Sequence, residues 1–241
     1  MEIGIEFVGK CLLIERAGER VLVVGDLHLG YEEVLNRAGI FVSRQMFDET
    51  MTDFNMIFDK IGKVDKIVLL GDIKHDFGGI SGQEWNDVLE LIDYLSGKCS
   101  EIVVVKGNHD NMLAPILDKR GIKIKESYVW NEFCFVHGDR ESESAWSERV
   151  EYIVVGHVHP AVKLREGAKV EKFKCFLVGE FRGKKMIVIP SFIEHNIGSD
   201  PRESEDMLAW DVNLEDFEVF VVPVDGSLKA LDFGKLREIK I

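Results

Sequence analysis

Five times between residues 21 and 157, a short β-branched apolar run stops abruptly in a polar group of Gly, Asp, Asn or His. The runs with their polar ends occupy 21–26, 67–72, 102–109, 133–137 and 152–157. Continuous apolar runs of this length suit strands buried on both faces, as in a sheet covered by helices. Segments with helical spacing lie between them. Over 43–62, Phe47, Met51, Phe54, Phe58 and Ile61 recur on one helical face, with Ser43 as the expected N-cap and Gly62 as the stop. Over 81–97, Ser81 and Glu84 have capping-box spacing, Trp85, Val88, Leu89, Ile92 and Leu95 form the apolar stripe, and Gly97 ends it. Strands alternating with helices predict an α/β fold whose ligands gather at the carboxyl ends of the strands, so the five polar groups should converge on one rim. The last third, through 176–178, 186–190, 208–212 and 217–222, carries strand patterns with little helix and predicts a second, partly antiparallel sheet.

No repeat or linker interrupts the 241 residues, so one domain spanning 1–241 is expected. The formal net charge of −13 opposes non-specific binding along duplex DNA, which relies on many Lys and Arg contacts to phosphate. Residues 161–187 depart from this balance with Lys163, Arg165, Lys169, Lys172, Lys174, Arg182, Lys184 and Lys185. That stretch reads either as a solvated hairpin with protected edges or as a surface for an anionic substrate. No apolar run approaches the ~20 residues needed to span a bilayer. The first residues alternate acidic and apolar types and lack the order of a signal peptide, so a cytoplasmic location with no membrane partner is expected. Cys11, Cys99, Cys134 and Cys175 are far apart and lie in or beside apolar runs, where reduced core thiols are expected.

The polar ends offer, in order, Asp26 and His28, then Asp72, then Asn108, His109 and Asp110, then His137, then His157 and His159. Five of the seven histidines fall in this set. Carboxylate, imidazole and amide donors without thiolates suit Mn²⁺, Fe²⁺, Zn²⁺ or Co²⁺ and argue against a structural zinc finger. Asp26 and His28, like His157 and His159, are two residues apart, which on a strand turns both side chains to one face. Each pair alone is a common strand ending. The ordered set is what carries specificity.

Taken together, the motifs resemble those of the calcineurin-like metallophosphoesterases: Asp26-x-His28, Gly71-Asp72, Gly107-Asn-His-Asp110, a single His137 and Gly156-His-x-His159. The stretch 26–30 with 37–40 is similar to a prokaryotic subgroup linked with DNA ligase and helicase genes and proposed to act as nucleases. The resemblance implies a four-layer αββα sandwich of two mixed β-sheets flanked by helices. It implies two divalent metal ions, Mn²⁺ foremost, with Fe²⁺, Zn²⁺, Ni²⁺, Co²⁺ or Mg²⁺ as alternatives. Asp26, His28 and His159 would hold the first ion, Asn108, His137 and His157 the second, and Asp72 would bridge them. A metal-bridging hydroxide would attack phosphorus in line, His109 would protonate or stabilise the leaving oxygen, and Asp110 would orient the His109 imidazole. The expected substrates are phosphodiesters, including nucleic-acid single strands or ends. The alternatives are a phosphomonoesterase acting on a small metabolite or phosphoprotein and, from another class, a non-catalytic scaffold, against which the complete ligand set counts. His75 stands where many relatives carry Asp or Asn; with His195, just past an apolar strand, it is a candidate phosphate contact. The sequence leaves the oligomeric state open.

Overall fold

The computed structural model describes residues 3–43, 45–203 and 208–239. The chain opens with an antiparallel meander of β1 (Gly4–Val8), β2 (Cys11–Arg16) and β3 (Glu19–Val24). It continues through α1 (Tyr31–Arg37), α2 (Met46–Ile61), β4 (Lys66–Leu69), α3 (Gly82–Ser96), β5 (Glu101–Val105), α4 (Ala114–Leu117) and β6 (Ile124–Lys125). The first sheet has the order β1-β2-β3-β4-β5-β6, and from β3 onward its strands are parallel. The second sheet holds β7 (Tyr128–Trp130), β8 (Phe133–Val136), β9 (Tyr152–Val155), β10 (Ala161–Glu166), β11 (Lys169–Phe181), β12 (Lys184–Val188), β13 (Glu218–Val221) and β14 (Leu231–Lys235). Its order is β14-β13-β11-β12-β9-β8-β7, with β10 paired to the first half of β11. Strands β8, β9 and β12 run parallel and the remaining pairs antiparallel, so both sheets are mixed.

The sheets pack face to face. Leu12, Ile14, Val21, Val68 and Val103 of the first meet Phe133, Phe135, Val154, Phe176 and Ile187 of the second in one apolar core. The other face of the first sheet is covered by α2, α3 and α4 through Phe54, Phe58, Val88, Leu91, Ile92 and Ile116. Each such side chain taken from water contributes roughly 1.5–3 kcal/mol. On the far face of the second sheet the cover is thinner, a 3₁₀ turn at Glu143–Trp146 and irregular chain after residue 207.

Helix α2 starts at Met46 after Gln45, three residues beyond the expected cap, and Gln45 makes no side-chain cap bond; the Ser43 hydroxyl bonds the Gln45 side chain at 3.2 Å instead. Its buried face is Met46, Thr50, Phe54, Ile57 and Phe58, while Phe47, Met51 and Ile61 pack at the margins. Gly62 ends it as expected, with a left-handed φ of 68°. Helix α3 has the full capping box at Ser81 and Glu84. The expected strand over 208–212 does not form. Leu208 and Trp210 are buried against the second sheet, and the Ala209 N–H donates to Gly138 O, so the segment crosses the sheet face instead of joining its ladder. Alternate residues turn inward because they pack on a sheet, which mimics a strand's pattern. Among the described residues no helix is long and apolar enough to cross a membrane.

Glu84 does more than cap. Its buried carboxylate accepts from Ser81 N and from Asp76 N, both at 2.9 Å, while Ser81 Oγ accepts from Glu84 N at 3.0 Å. Loss of the Ser81 cap costs about 1 kcal/mol, whereas a buried donor left without an acceptor costs about 1–3 kcal/mol. Glu84→Ala is therefore expected to lower unfolding free energy in urea more than Ser81→Ala does. Equal losses would show that the bond to the 76–79 loop adds nothing.

Candidate metal centre

Five of the sequence-selected residues sit just beyond strand ends with left-handed backbone: Asp26 (φ 41°), His28 (45°), Asp72 (48°), His157 (66°) and His159 (47°). Such conformations cost non-glycine residues on the order of 1–3 kcal/mol and persist only where surroundings over-determine them. The turn, and not the alternation of a strand, aims these side chains. Backbone bonds hold the turns together: His28 N to Asp72 O and Leu29 N to Ile73 O, both 2.8 Å, join the loops after β3 and β4. The carboxylates cross-link the rest. Asp26 accepts from His157 N at 3.1 Å, and Asp72 Oδ1 accepts from His109 N at 2.9 Å. A Cβ on Gly107 would lie 2.2 Å from Asp72 Oδ1 and one on Gly156 2.7 Å from Asp26 Oδ2, so both approaches require glycine.

Two donor groups result. In one, His159 Nε2 lies 3.2 Å from both Asp26 Oδ1 and His28 Nε2. In the other, His137 Nε2 lies 3.3 Å from Asp72 Oδ2, 3.2 Å from His157 Nδ1 and 3.1 Å from Asn108 Oδ1. Within each His/Asp triad the donor atoms lie within 4.8 Å of one another. The Asp72 carboxylate stands between them, its Oδ2 also 3.9 Å from His28 Nε2. His137 Nδ1–H donates to Leu70 O at 2.8 Å, which leaves Nε2 as the donor atom for a cation. Converging lone pairs of imidazoles and carboxylates repel one another unless a cation or proton lies among them, so the donor set fits divalent metal.

The charges agree with that chemistry. Burial works to raise the Asp26 carboxyl, but the imidazoles of His159, His137 and His28 outweigh it and hold the group well below the usual carboxylate range. Asp72 is likewise lowered, against burial, by His137. Burial and the neighbouring His159 push His28 down to about 3, and burial with His137 lowers His157, so both are neutral at pH 7 and ready to ligate. His137 goes the other way. Burial works to lower it, but Asp72 and Asp26 raise it to about 9.

His109 Nδ1 meets His75 O, which turns Nε2 toward Asp72 Oδ2 at 3.8 Å. The orienting acceptor is thus a backbone carbonyl, not Asp110 as expected. The Asp110 carboxylate is buried and accepts from Gly107 N and Ile73 N at 2.9 Å, clamping two site loops; burial raises it to about 6. His75 lies inside the cluster, its Nδ1 3.2 Å from His28 Nδ1, and burial with His109 lowers it to about 4. His195 does not join it. That side chain is half-exposed with Nδ1 3.4 Å from Glu49 on α2, and among the described residues it belongs neither to the two donor groups nor to the His28, His75 and His109 cluster beside them. Its neighbour Asn196 reaches the site instead, with Nδ2 3.3 Å from His159 Nδ1. Nothing in the sequence distinguishes Asn196 from any loop asparagine.

The basic stretch 161–187 is engaged by the fold at most of its cations. Lys163 pairs with Glu203 and Lys169 with Glu171, and Lys172 donates to Gly198 O. Buried Lys174 donates to Ser191 Oγ at 2.7 Å, and burial pushes it down to about 7. Lys184 donates to Ser147 O and Val150 O, and Arg182 covers Trp146. In the parallel pairing of β12 with β9, Lys185 is opposite Tyr152 and Val188 opposite Val155, so Lys184 and Lys185 lie at the end of β9 away from His157.

The sequence profile described as calcineurin-like phosphoesterase matches residues 19–147, more than half of the chain. Among curated proteins none matches. The structure is similar to that of Pseudomonas putida nuclease MPE, at a TM-score of 0.60 and 17% identity, covering 92% of this chain and 100% of that one. At that identity the likeness is one of fold. Fainter likenesses are to zinc-bound Vps29 from Entamoeba histolytica (TM-score 0.40, 18% identity, 89% of this chain and 99% of that one) and to a predicted phosphoesterase from Streptococcus pneumoniae (0.36, 15%, 90% and 98%).

Because His137 is protonated up to about pH 9 in the metal-free protein, a metal taken at its Nε2 must displace that proton. Between pH 6.5 and 9, titration calorimetry in buffers of different ionisation enthalpy should show proton release, with affinity rising up to about tenfold per pH unit from this group. The raised value also stabilises the metal-free fold below pH 6.5, a contribution lost as pH rises through about 9. Binding at pH 7.5 without proton release would remove His137 from the ligand set.

Proposed function

The chain belongs to the calcineurin-like phosphoesterase family, and we propose that it is a phosphodiesterase working with two divalent metal ions, Mn²⁺ foremost. Asp26, His28 and His159 would hold one ion, Asn108, His137 and His157 the other, and Asp72 would serve both. The observation that carries this reading is the position of the Asp72 carboxylate, whose Oδ2 lies 3.3 Å from His137 Nε2 in one donor group and 3.9 Å from His28 Nε2 in the other. Bound divalent cations supply positive charge to the phosphate and acidify water near neutral pH. The chain's own residues do the remainder. Asp26 and Asp72 stay ionised and His28 and His157 stay neutral at pH 7, ready to ligate, whereas His137 ligates on giving up its proton. His109, fixed through Nδ1 by His75 O, presents Nε2 to protonate the leaving oxygen. His75, whose ring packs against both His28 and His109, is the further side chain proposed to contact phosphate.

A diester is favoured by the similarity of 26–40 to the nuclease subgroup and by the fold shared with the P. putida nuclease. It also suits a site whose neighbouring cations are mostly engaged, since a monoanionic diester needs less compensation than a dianionic monoester. The 161–187 cations are not assigned to substrate. Four unpaired cysteines, three of them buried, suit a reducing cytoplasm, and the apolar core shared by the two sheets supports one domain over 1–241.

Protein reloaded with Mn²⁺ should hydrolyse bis(p-nitrophenyl) phosphate with higher kcat/KM than p-nitrophenyl phosphate. A tenfold preference for the monoester, with no cleavage of any oligonucleotide, would overturn the diesterase reading. His109→Ala is expected to keep its metal content while losing about 10²–10⁴-fold in kcat. Asp72→Asn should instead lower occupancy of both ions by elemental analysis; retention of either at full affinity would remove Asp72 as the shared ligand.

A further inference from the structure

The loop after Asp72 presents an aromatic ring that the chemistry above leaves unused. Phe77 is 56% exposed, yet its ring lies against the His109 imidazole with centroids 3.5 Å apart and planes at 34°. His109 stacks in turn on His75 at 5.2 Å, and Tyr31 meets His75 edge-on at 4.5 Å. Phe77 is thus the outermost ring of an aromatic series that runs into the metal centre, in contact with protein yet more than half open to water.

The ring is not carried on loose chain. Asp76 N donates to Glu84 at 2.9 Å, Gly78 N donates to Asp76 Oδ1 at 2.9 Å, Arg37 reaches Asp76 Oδ2 at 3.3 Å, and the buried Lys74 ammonium donates to Asp76 O. A flat apolar face held in place before binding loses little conformational entropy when a ligand stacks on it. Met112, three residues beyond His109, adds exposed apolar surface on the neighbouring loop, in a left-handed conformation (φ 69°).

We infer that Phe77 is the stacking platform for the nucleobase on the leaving side of the scissile bond, and that the substrate is accordingly a nucleotide diester with an unpaired base. The inference rests on the phosphodiesterase reading. Phe77 covers His109, the group assigned to protonate the leaving oxygen, so whatever that oxygen carries lies beside this ring. A protein of net charge −13 whose basic hairpin is largely engaged has little backbone-charge attraction to offer a nucleic acid. Stacking supplies affinity that charge does not, and it requires a base free of its duplex partner.

The test compares a dinucleoside monophosphate with its analogue lacking the leaving-side base, using Mn²⁺-reloaded protein and chromatographic detection of product. The wild type should prefer the base-bearing substrate in kcat/KM by about ten- to a hundredfold, the range of one stacked base. Phe77→Ala should bring the ratio toward one, while Phe77→Trp should preserve it. Disturbance of His109 by the substitution acts on both substrates and cancels in the ratio. Equilibrium binding of the two methylphosphonate-linked counterparts should give the same ratio without turnover. A wild-type ratio near one, or a ratio unchanged in Phe77→Ala, would overturn the platform while leaving the diesterase intact. Failure of wild type to hydrolyse even methyl p-nitrophenyl phosphate would instead bring down the diesterase reading, and the platform with it.

Discussion

Two carboxylates buried at the ends of parallel strands, Asp26 and Asp72, set the terms for the rest of this molecule. An ionised carboxylate taken out of water is tolerated only beside cations or strong donors. Each finds its donor on a different motif: Asp26 accepts the His157 N–H from the loop after β9 of the second sheet, and Asp72 accepts the His109 N–H from the loop after β5 of its own sheet. The first of these bonds closes the rim between the sheets. The acidic residues of the site are therefore also the links that hold the motifs in register. The left-handed turns and the missing side chains at Gly107 and Gly156 are the geometric conditions for such close approach.

A second tier of buried groups keeps those turns in place. Asp110 ties the loop after β5 to the loop after β4, and Glu84 ties the start of α3 to the loop that carries Phe77. From the other side, chain leaving β12 crosses over the rim. Phe192 N donates to Gly25 O at 3.0 Å, and its ring stacks on Phe54 of α2 at 4.3 Å. A residue that follows the second sheet thereby packs into the helical layer of the first and holds the residue beside Asp26. The helices thus support the rim as well as the core, which makes it a rigid platform for positioned donors.

Charge is distributed against the use that the basic stretch suggests. Lysines within it bond backbone carbonyls, pair with nearby glutamates or lie buried, and its two C-terminal lysines sit at the wrong end of β12 to reach the rim. An acidic protein with its hairpin cations so occupied lacks a long cationic track, which is in keeping with the proposed substrate, engaged at one or two phosphates by metal and by apolar contact.

The order of apolar runs and polar ends in the sequence determined that strands would deliver Asp26, His28, Asp72, Asn108, His137, His157 and His159 to a common rim, because burial on both faces leaves a strand only its end for polar chemistry. It also determined α3 and its capping box, which depend on residues three apart. Division of the five strands between two sheets was not legible, since an apolar run buried by a helix and one buried by another sheet read alike. The strand pattern at 208–212 misled, and Asn196 went unseen, for a related reason: inward-facing side chains and reach to His159 are set by what lies across the fold, not by neighbours in sequence. Only the tertiary structure decided that Asp110 clamps loops while His75 O orients His109, and that Phe77 stands over that imidazole with a face open to water. Those contacts join residues many positions apart, or turn on a loop conformation for which hydropathy has no signature.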